Sequence, residues 1–244
     1  MIYKIYQLLI ALPLGLLSTV ITSIVTAAGS IFNAHFWGYW PPHIWARSIC
    51  RLLLLPISVK GREHLNPNQS YVFVANHQGP MDIFLIYGYL NRNFKWMMKK
   101  SLRKIPFVGI ACEKARHIFV DKSGPKAIKE TYTAAQKTLR GGTSLVVFPE
   151  GARTFTGHMG VFRKGAFQLA DEIGLPIVPI TINGSFDVLR RQDGFNFVKW
   201  HRLELIIHEP ITQDDTPDRR AAAYEKIMSA LPEKYQGYVE NEDQ

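Results

Sequence analysis

The sequence predicts an α/β fold: a mostly buried mixed sheet flanked by helices, with an N-terminal membrane-associated helical segment. Two observations predict it. The first is a run of 42 residues between Lys4 and Arg47 that holds no Lys, Arg, Asp or Glu. The second is a change of pattern near Ile57, after which short β-prone runs alternate with helix-period segments. Residues 1–58 are assigned to the anchor and 59–244 to the α/β domain.

Ile5 to Phe32 is rich in Leu, Ile, Val, Ala and Thr, and its 28 residues suffice to cross or deeply enter a bilayer. A helical hairpin, a single span and a signal peptide all compete for it. The apolar run is about twice the usual ~7–15-residue signal core, and Lys4 alone is a thin basic start. The aromatic cluster Phe36, Trp37, Tyr39, Trp40 and Trp45 surrounds Pro41-Pro42 and suits a membrane interface. Arg47, Arg51, Lys60 and Arg62 follow, which favours a hairpin returning to the cytoplasmic side, with a single span as the alternative.

Tyr71 to Ala75 reads as a strand, and Gly79-Pro80 opens a helix through Leu90. Ile118 to Val120 reads as a strand. Ala127, Ile128, Tyr132, Ala135 and Leu139 recur at helical spacing up to Gly141-Gly142. Ser144 to Phe148 is a strand cut off by Pro149, and Phe162 to Ile173 a helix. Pro176 to Ile182 and Leu203 to His208 are further strands. Thr216-Pro217-Asp218 caps a last helix to about Leu231.

Apolar content of 47% excludes disorder, and two cysteines, Cys50 and Cys112, exclude a disulfide scaffold. No Cys/His cluster has zinc spacing, so no metal is expected. The net charge of +9 is local: Arg92 to Lys129 holds 11 Lys+Arg against Glu113 and Asp121, and the rest of the chain balances. A basic patch attracts nucleic acid, anionic lipid or phosphorylated small molecules. Beside a long apolar end, lipid is the partner expected and nucleic acid is not.

Ligands of α/β sheets gather in loops beyond strand ends. Two such loops carry chemistry. After Ala75, His77 stands five residues before Asp82. A carboxylate on one ring nitrogen fixes the tautomer, leaves the other nitrogen to take a proton, and stabilises the imidazolium. The bland alternative is a satisfied loop histidine with Asp82 favouring a helix start. After Phe148, Glu150-Gly151-Ala152-Arg153 offers a glycine that admits close approach and a guanidinium fork for phosphate. Glu150 is a candidate to accept a substrate hydroxyl or to hold Arg153. The bland alternative there is a surface Glu–Arg pair.

Asn76-His77 through Asp82, Phe148 to Arg153, and Leu175-Pro176-Ile177-Val178-Pro179-Ile180 together resemble three ordered blocks of the glycerophospholipid acyltransferase family, most closely its 1-acyl-glycerol-3-phosphate (lysophosphatidic acid) acyltransferases. The resemblance covers about Lys60 to Ile207, and Lys99-Lys100-Ser101-Leu102 through Gly109 joins it. It implies acyl transfer from an acyl thioester to the sn-2 hydroxyl of lysophosphatidic acid, giving phosphatidic acid. His77 matches the base and Asp82 its partner. Glu150, Gly151 and Arg153 match the acceptor's phosphate-binding block, with Lys100 and Lys122 as further substrate-binding positions. Lys122 follows Phe119-Val120-Asp121 where the family has Arg, and Ala152 stands where Thr is common. The resemblance implies no bound cofactor, and acyl carrier protein or coenzyme A as the donor's carrier. The apolar end and the cations that follow it point to a protein at a membrane with its catalytic domain on the cytoplasmic face. Another lysolipid, such as a lyso-ornithine lipid, is the alternative acceptor, and a non-catalytic lipid-binding protein the alternative class.

Overall fold

The computed structural model describes residues 1–120, 124–139, 142–194 and 196–237. Elements are numbered in chain order. Two compact units form, one from Met1–Leu55 with Ile83–Thr138, the other from Pro56–Asp82 with the described residues from Leu139 onward.

The first unit begins with α1 (Ile2–Tyr6), a π-type turn at Gln7–Ala11, and α2 (Leu12–Trp37). Together they make one helical stretch of 36 residues, Ile2–Trp37, long and apolar enough to cross a membrane. Its outer side chains are bare, with Leu9 at 67% and Phe32 at 87% exposure. Asn33 interrupts the helix at φ −149°, ψ 92°. Its Oδ1 accepts the N–H groups of His35 and Phe36 at 3.1 and 3.0 Å, so it caps the final turn as a new helix start. After Gly38 the chain enters α3 (Trp40–Leu52). Tyr3 and Tyr6 donate to the carbonyls of Leu53 and Leu52 at 2.6 and 2.8 Å, and Trp45 Nε1 donates to Thr19 Oγ1 at 3.0 Å. Helix α3 therefore runs back along α2, and the two form a helical hairpin.

The same unit holds β3 (Phe94–Lys99), a 3-10 turn at Lys100–Lys104, α5 (Val108–Lys114), β4 (Ile118–Val120) and α6 (Pro125–Thr138). Strands β3 and β4 pair in parallel, Met97 opposite Ile118. Val108, Ala111 and Cys112 of α5 meet Thr19, Thr22, Ser23 and Thr26 of α2 around a small apolar cavity. Strand β3 was not expected, because Lys95 sits inside it. Lys95 is only 3% exposed, and its Nζ donates to the Ala34 carbonyl beyond the α2 break at 3.1 Å. Burial pushes its ammonium down to about 8, with Arg116 adding to the push.

The second unit holds β1 (Ile57–Lys60), β2 (Val72–Ala75), β5 (Ser144–Val147), β6 (Ile177–Asn183) and β7 (Leu203–Ile207), ordered β1-β7-β6-β2-β5. All pairs are parallel except β6–β7, so the sheet is mixed, as expected. Strands β2 and β5 are buried at every residue, which explains their unbroken apolar sequences. Full burial of Phe73 or Leu145 stabilises the sheet by roughly 1.5–3 kcal/mol each. Pro179 is tolerated inside β6 because the ladder to β7 begins only at Ile180, while its carbonyl still accepts the His208 N–H at 3.0 Å. Helix α7 (Gly165–Glu172) starts three residues after the expected Phe162. Helix α9 (Arg219–Ser229) is capped as expected, Asp218 Oδ1 accepting from Ala221 N at 3.0 Å. The short helices α4 (Met81–Tyr89) and α8 (Ser185–Val188) follow β2 and β6.

Candidate active site

The site grows from the ends of β2 and β5, adjacent parallel strands of one unit. Asn76, fully buried, ends β2 and locks it to β6. Its Nδ2 donates to the Ile182 carbonyl at 2.9 Å, and its Oδ1 accepts the Ile182 N–H at 2.7 Å. The next residue is His77. Gly79 is required two residues on, because a Cβ there would meet Ser185 Oγ at 2.7 Å and the Leu189 carbonyl at 2.8 Å. The tight turn that results brings the first turn of α4 back to His77.

Asp82 Oδ2 accepts three hydrogen bonds: from His77 Nδ1 at 2.7 Å, Gln78 N at 2.7 Å and Gly79 N at 3.0 Å. Two of these donors are backbone amides, so the carboxylate is the acceptor and Nδ1 carries the ring proton. The Nε2 lone pair is then the basic one, and it has no hydrogen-bond partner among the described residues. Asp82 is fully buried while the His77 side chain keeps 16% exposure. Phe148 stacks on the imidazole, with ring centroids 3.9 Å apart and planes 8° off parallel. The ring is thus held by a carboxylate at its edge and an aromatic on its face. It has the geometry of a general base.

Glu150 does not sit on the surface. It is 2% exposed. Oε1 accepts the His77 N–H at 2.7 Å and Oε2 accepts the Gly160 N–H at 2.8 Å. Burial pushes its carboxyl up to about 8; the two N–H donors oppose that and the Asp82 charge adds to it. Glu150 thereby ties the β5 loop to the backbone of His77, and Thr154 N repeats the link to the His77 carbonyl at 2.9 Å. Gly151 turns the chain at φ +80°, and a Cβ there would lie 3.1 Å from the Arg163 guanidinium carbon. Arg153 is half-buried, its backbone carbonyl accepting from Arg191 Nη1 at 2.9 Å. Arg191 also lies 4.0 Å over the Phe155 ring.

His77, Asp82, Glu150, Gly151 and Arg153 therefore come together in one unit. Lys100 is exposed and opens the 3-10 turn of the other unit. Lys122 lies outside the described residues. Sequence reasoning missed the Asn76 lock, the Phe148 stack and the guanidinium of Arg163. Asn76 and Phe148 are the first residues of the two motifs, which was a usable signal; Arg163, ten residues past Arg153, gave none. Among the described residues no group of three or more His, Cys, Asp or Glu could hold a metal ion.

Known proteins are similar to this chain. A family model described as Acyltransferase matches residues 56–183. A 1-acyl-sn-glycerol-3-phosphate acyltransferase alpha of Mus musculus is 32% identical over 193 residues, 75% of this chain and 67% of its own length. A chloroplastic 1-acyl-sn-glycerol-3-phosphate acyltransferase of Arabidopsis thaliana is 31% identical over 170 residues, 69% of this chain and 47% of its own. The chain spans about half the length of several such relatives, 47% and 54% in two of them. The crystal structure of the 1-acyl-sn-glycerophosphate (LPA) acyltransferase of Thermotoga maritima shares the fold, with a TM-score of 0.72 at 23% identity over 92% of this chain and 94% of that one. The family match spans more than half of the chain and contains both loops of the site, and the chain belongs to the acyltransferase family.

Proposed function

We propose that this acyltransferase moves a fatty acyl group from a thioester to the free sn-2 hydroxyl of 1-acyl-glycerol 3-phosphate, giving phosphatidic acid. The observation that carries the reading is the Asp82–His77 pair at 2.7 Å, with Nε2 left basic at a partly exposed ring. His77 Nε2 removes the hydroxyl proton as the acceptor oxygen attacks the thioester carbonyl. Asp82 stabilises the imidazolium. The tetrahedral intermediate collapses, the carbon–sulfur bond breaks, and His77 returns the proton to the leaving thiolate. The ester and the free thiol are the products, and no acyl-enzyme forms.

Arg153 receives the acceptor's phosphate through its planar fork. Glu150 acts by bracing His77, since both of its oxygens already accept backbone N–H groups. Gly151 admits the ligand to the backbone, and Lys100 and Lys122 supply further positive charge toward phosphate. Acyl carrier protein or coenzyme A carries the acyl group. The apolar helix Ile2–Trp37 places the enzyme at a membrane, where both lipids reside, and Arg47, Arg51 and Lys60 favour a cytoplasmic catalytic face.

Purified full-length protein, offered lysophosphatidate or the matched monoacylglycerol with acyl-carrier-protein or coenzyme A thioesters, tests this. Phosphatidate identified by mass, with little acylation of the unphosphorylated acceptor, is expected. Equal use of both acceptors would remove the phosphate from the recognition.

A further inference from the structure

In the first unit, the segment from the end of β3 to the start of α5 forms a tip of which the acyl-transfer reading uses Lys100 alone. Leu102, Ile105, Phe107 and Ile110 are 40%, 43%, 50% and 58% exposed. Lys99, Arg103 and Lys104 are exposed among them. Apolar side chains and cations thus interleave within about a dozen residues, and Glu113 lies 3.8 Å from Arg103.

The tip is built rather than loose. Phe107 takes φ +60°, ψ −53°, and Val108 N donates across it to the Pro106 carbonyl at 2.6 Å. This is the rare positive-φ γ-turn, strained for a residue with a side chain. Gly109 N donates to Ile105 O at 2.8 Å and Ala111 N to Phe107 O at 3.0 Å. Gly109 has no alternative, because a Cβ there would lie 2.1 Å from the Arg103 carbonyl. The amides of Val108, Gly109 and Ala111 are therefore satisfied internally, which lowers the cost of entering an apolar phase. The strain is spent on presenting an aromatic ring to solvent.

Its position decides the occupant. Helix α5 turns Val108, Ala111 and Cys112 toward Thr19, Thr22, Ser23 and Thr26, which lie midway along the long apolar helix. A leaflet that receives the exposed Leu16, Leu17, Ile21 and Ile24 of α2 therefore lies next to Phe107 and Ile110. The basic side chains match anionic headgroups, and the apolar ones have no use for a soluble acidic partner. We infer that the Leu102–Ile110 tip is a second membrane-inserting element, which dips into the leaflet occupied by the N-terminal hairpin and seats anionic phospholipid headgroups on Lys99, Arg103 and Lys104. The inference does not depend on acyl transfer.

The test uses full-length protein in vesicles of phosphatidylcholine, with or without phosphatidylglycerol. An environment-sensitive fluorophore is attached through Ile110→Cys, and through Glu225→Cys, exposed on α9, as the reference. At position 110, quenching by acyl-chain nitroxide lipids and shielding from aqueous iodide are expected, stronger with phosphatidylglycerol; position 225 stays aqueous. Lys99→Gln with Lys104→Gln reduces the phosphatidylglycerol preference of the tip roughly thirtyfold, on the scale of two cations near an anionic surface. Phe107→Gly relieves the strained turn, keeps the fold, and lowers nitroxide quenching. Iodide access at 110 equal to that at 225 would overturn insertion. Quenching indifferent to phosphatidylglycerol would overturn the headgroup assignment. Shielding of 110 by added acidic carrier protein, without nitroxide quenching, would replace the lipid with a protein partner.

Discussion

Asp82→Asn separates the charge of the pair from its geometry. An asparagine oxygen in the place of Oδ2 keeps all three acceptor contacts, to His77 Nδ1, Gln78 N and Gly79 N. Its amide nitrogen then takes the place of Oδ1, a buried atom with no hydrogen-bond partner. The variant should fold, and the ring should keep its tautomer. What disappears is the negative charge beside an imidazolium that forms only as the proton is taken. With charge centres about 4 Å apart and an effective dielectric constant of about 20, that attraction is roughly 4 kcal/mol. The loss corresponds to about a thousandfold in kcat, with little change in either KM. Thiol release from an acyl-coenzyme A donor, followed with a chromogenic disulfide, measures it, and thermal unfolding checks the fold. A variant that keeps more than a tenth of wild-type kcat would refute the idea that Asp82 acts through its charge.

Arg153→Ala should raise KM for the phosphorylated acceptor by ten- to a hundredfold, on the scale of about 1.5–3 kcal/mol for a charge-assisted contact, and leave KM for the donor unchanged. Initial rates with each substrate varied in turn would show it. Glu150 makes stability depend on pH. Its folded carboxyl titrates near 8 against an ordinary 4.5, so its protonated form is favoured by folding. That contribution is complete below about pH 4.5 and is lost as pH rises through about 8. Thermal unfolding of Glu150→Gln across this window should lack part of the wild-type decline. Asn76→Ala leaves the Ile182 N–H and carbonyl unpaired in the core, a cost of about 2–4 kcal/mol and a fall in Tm of roughly 5–10 °C.

Much of this was legible in the sequence where local pattern and tertiary demand agree. Strands β2 and β5 are buried at every residue, so their apolar runs announce them. Strand β3 hides because Lys95 interrupts it; the Ala34 carbonyl, in the last turn of α2 and 61 residues away, makes a lysine acceptable there. The hairpin was foreshadowed by the aromatic cluster and the returning cations. The helix break was not, since Asn33 lies just past the apolar run and acts through its side chain. In the site, the His77 to Asp82 spacing was readable because the turn is local. Glu150 read as a ligand of substrate or of Arg153, yet its carboxylate turns to two backbone amides, one of them 73 residues back. Motif reading gives residue types; which atoms they face is set by the pairing of β2 with β5.

The central claim is that His77 is the base of an acyl transfer to lysophosphatidate. The direct measurement is phosphatidate formation, quantified by mass, for wild-type and His77→Ala protein of equal thermal stability. The account predicts product from the wild type and a rate lower by at least about a thousandfold from the variant, the upper part of the range general-base removal produces. Comparable product from both would contradict it.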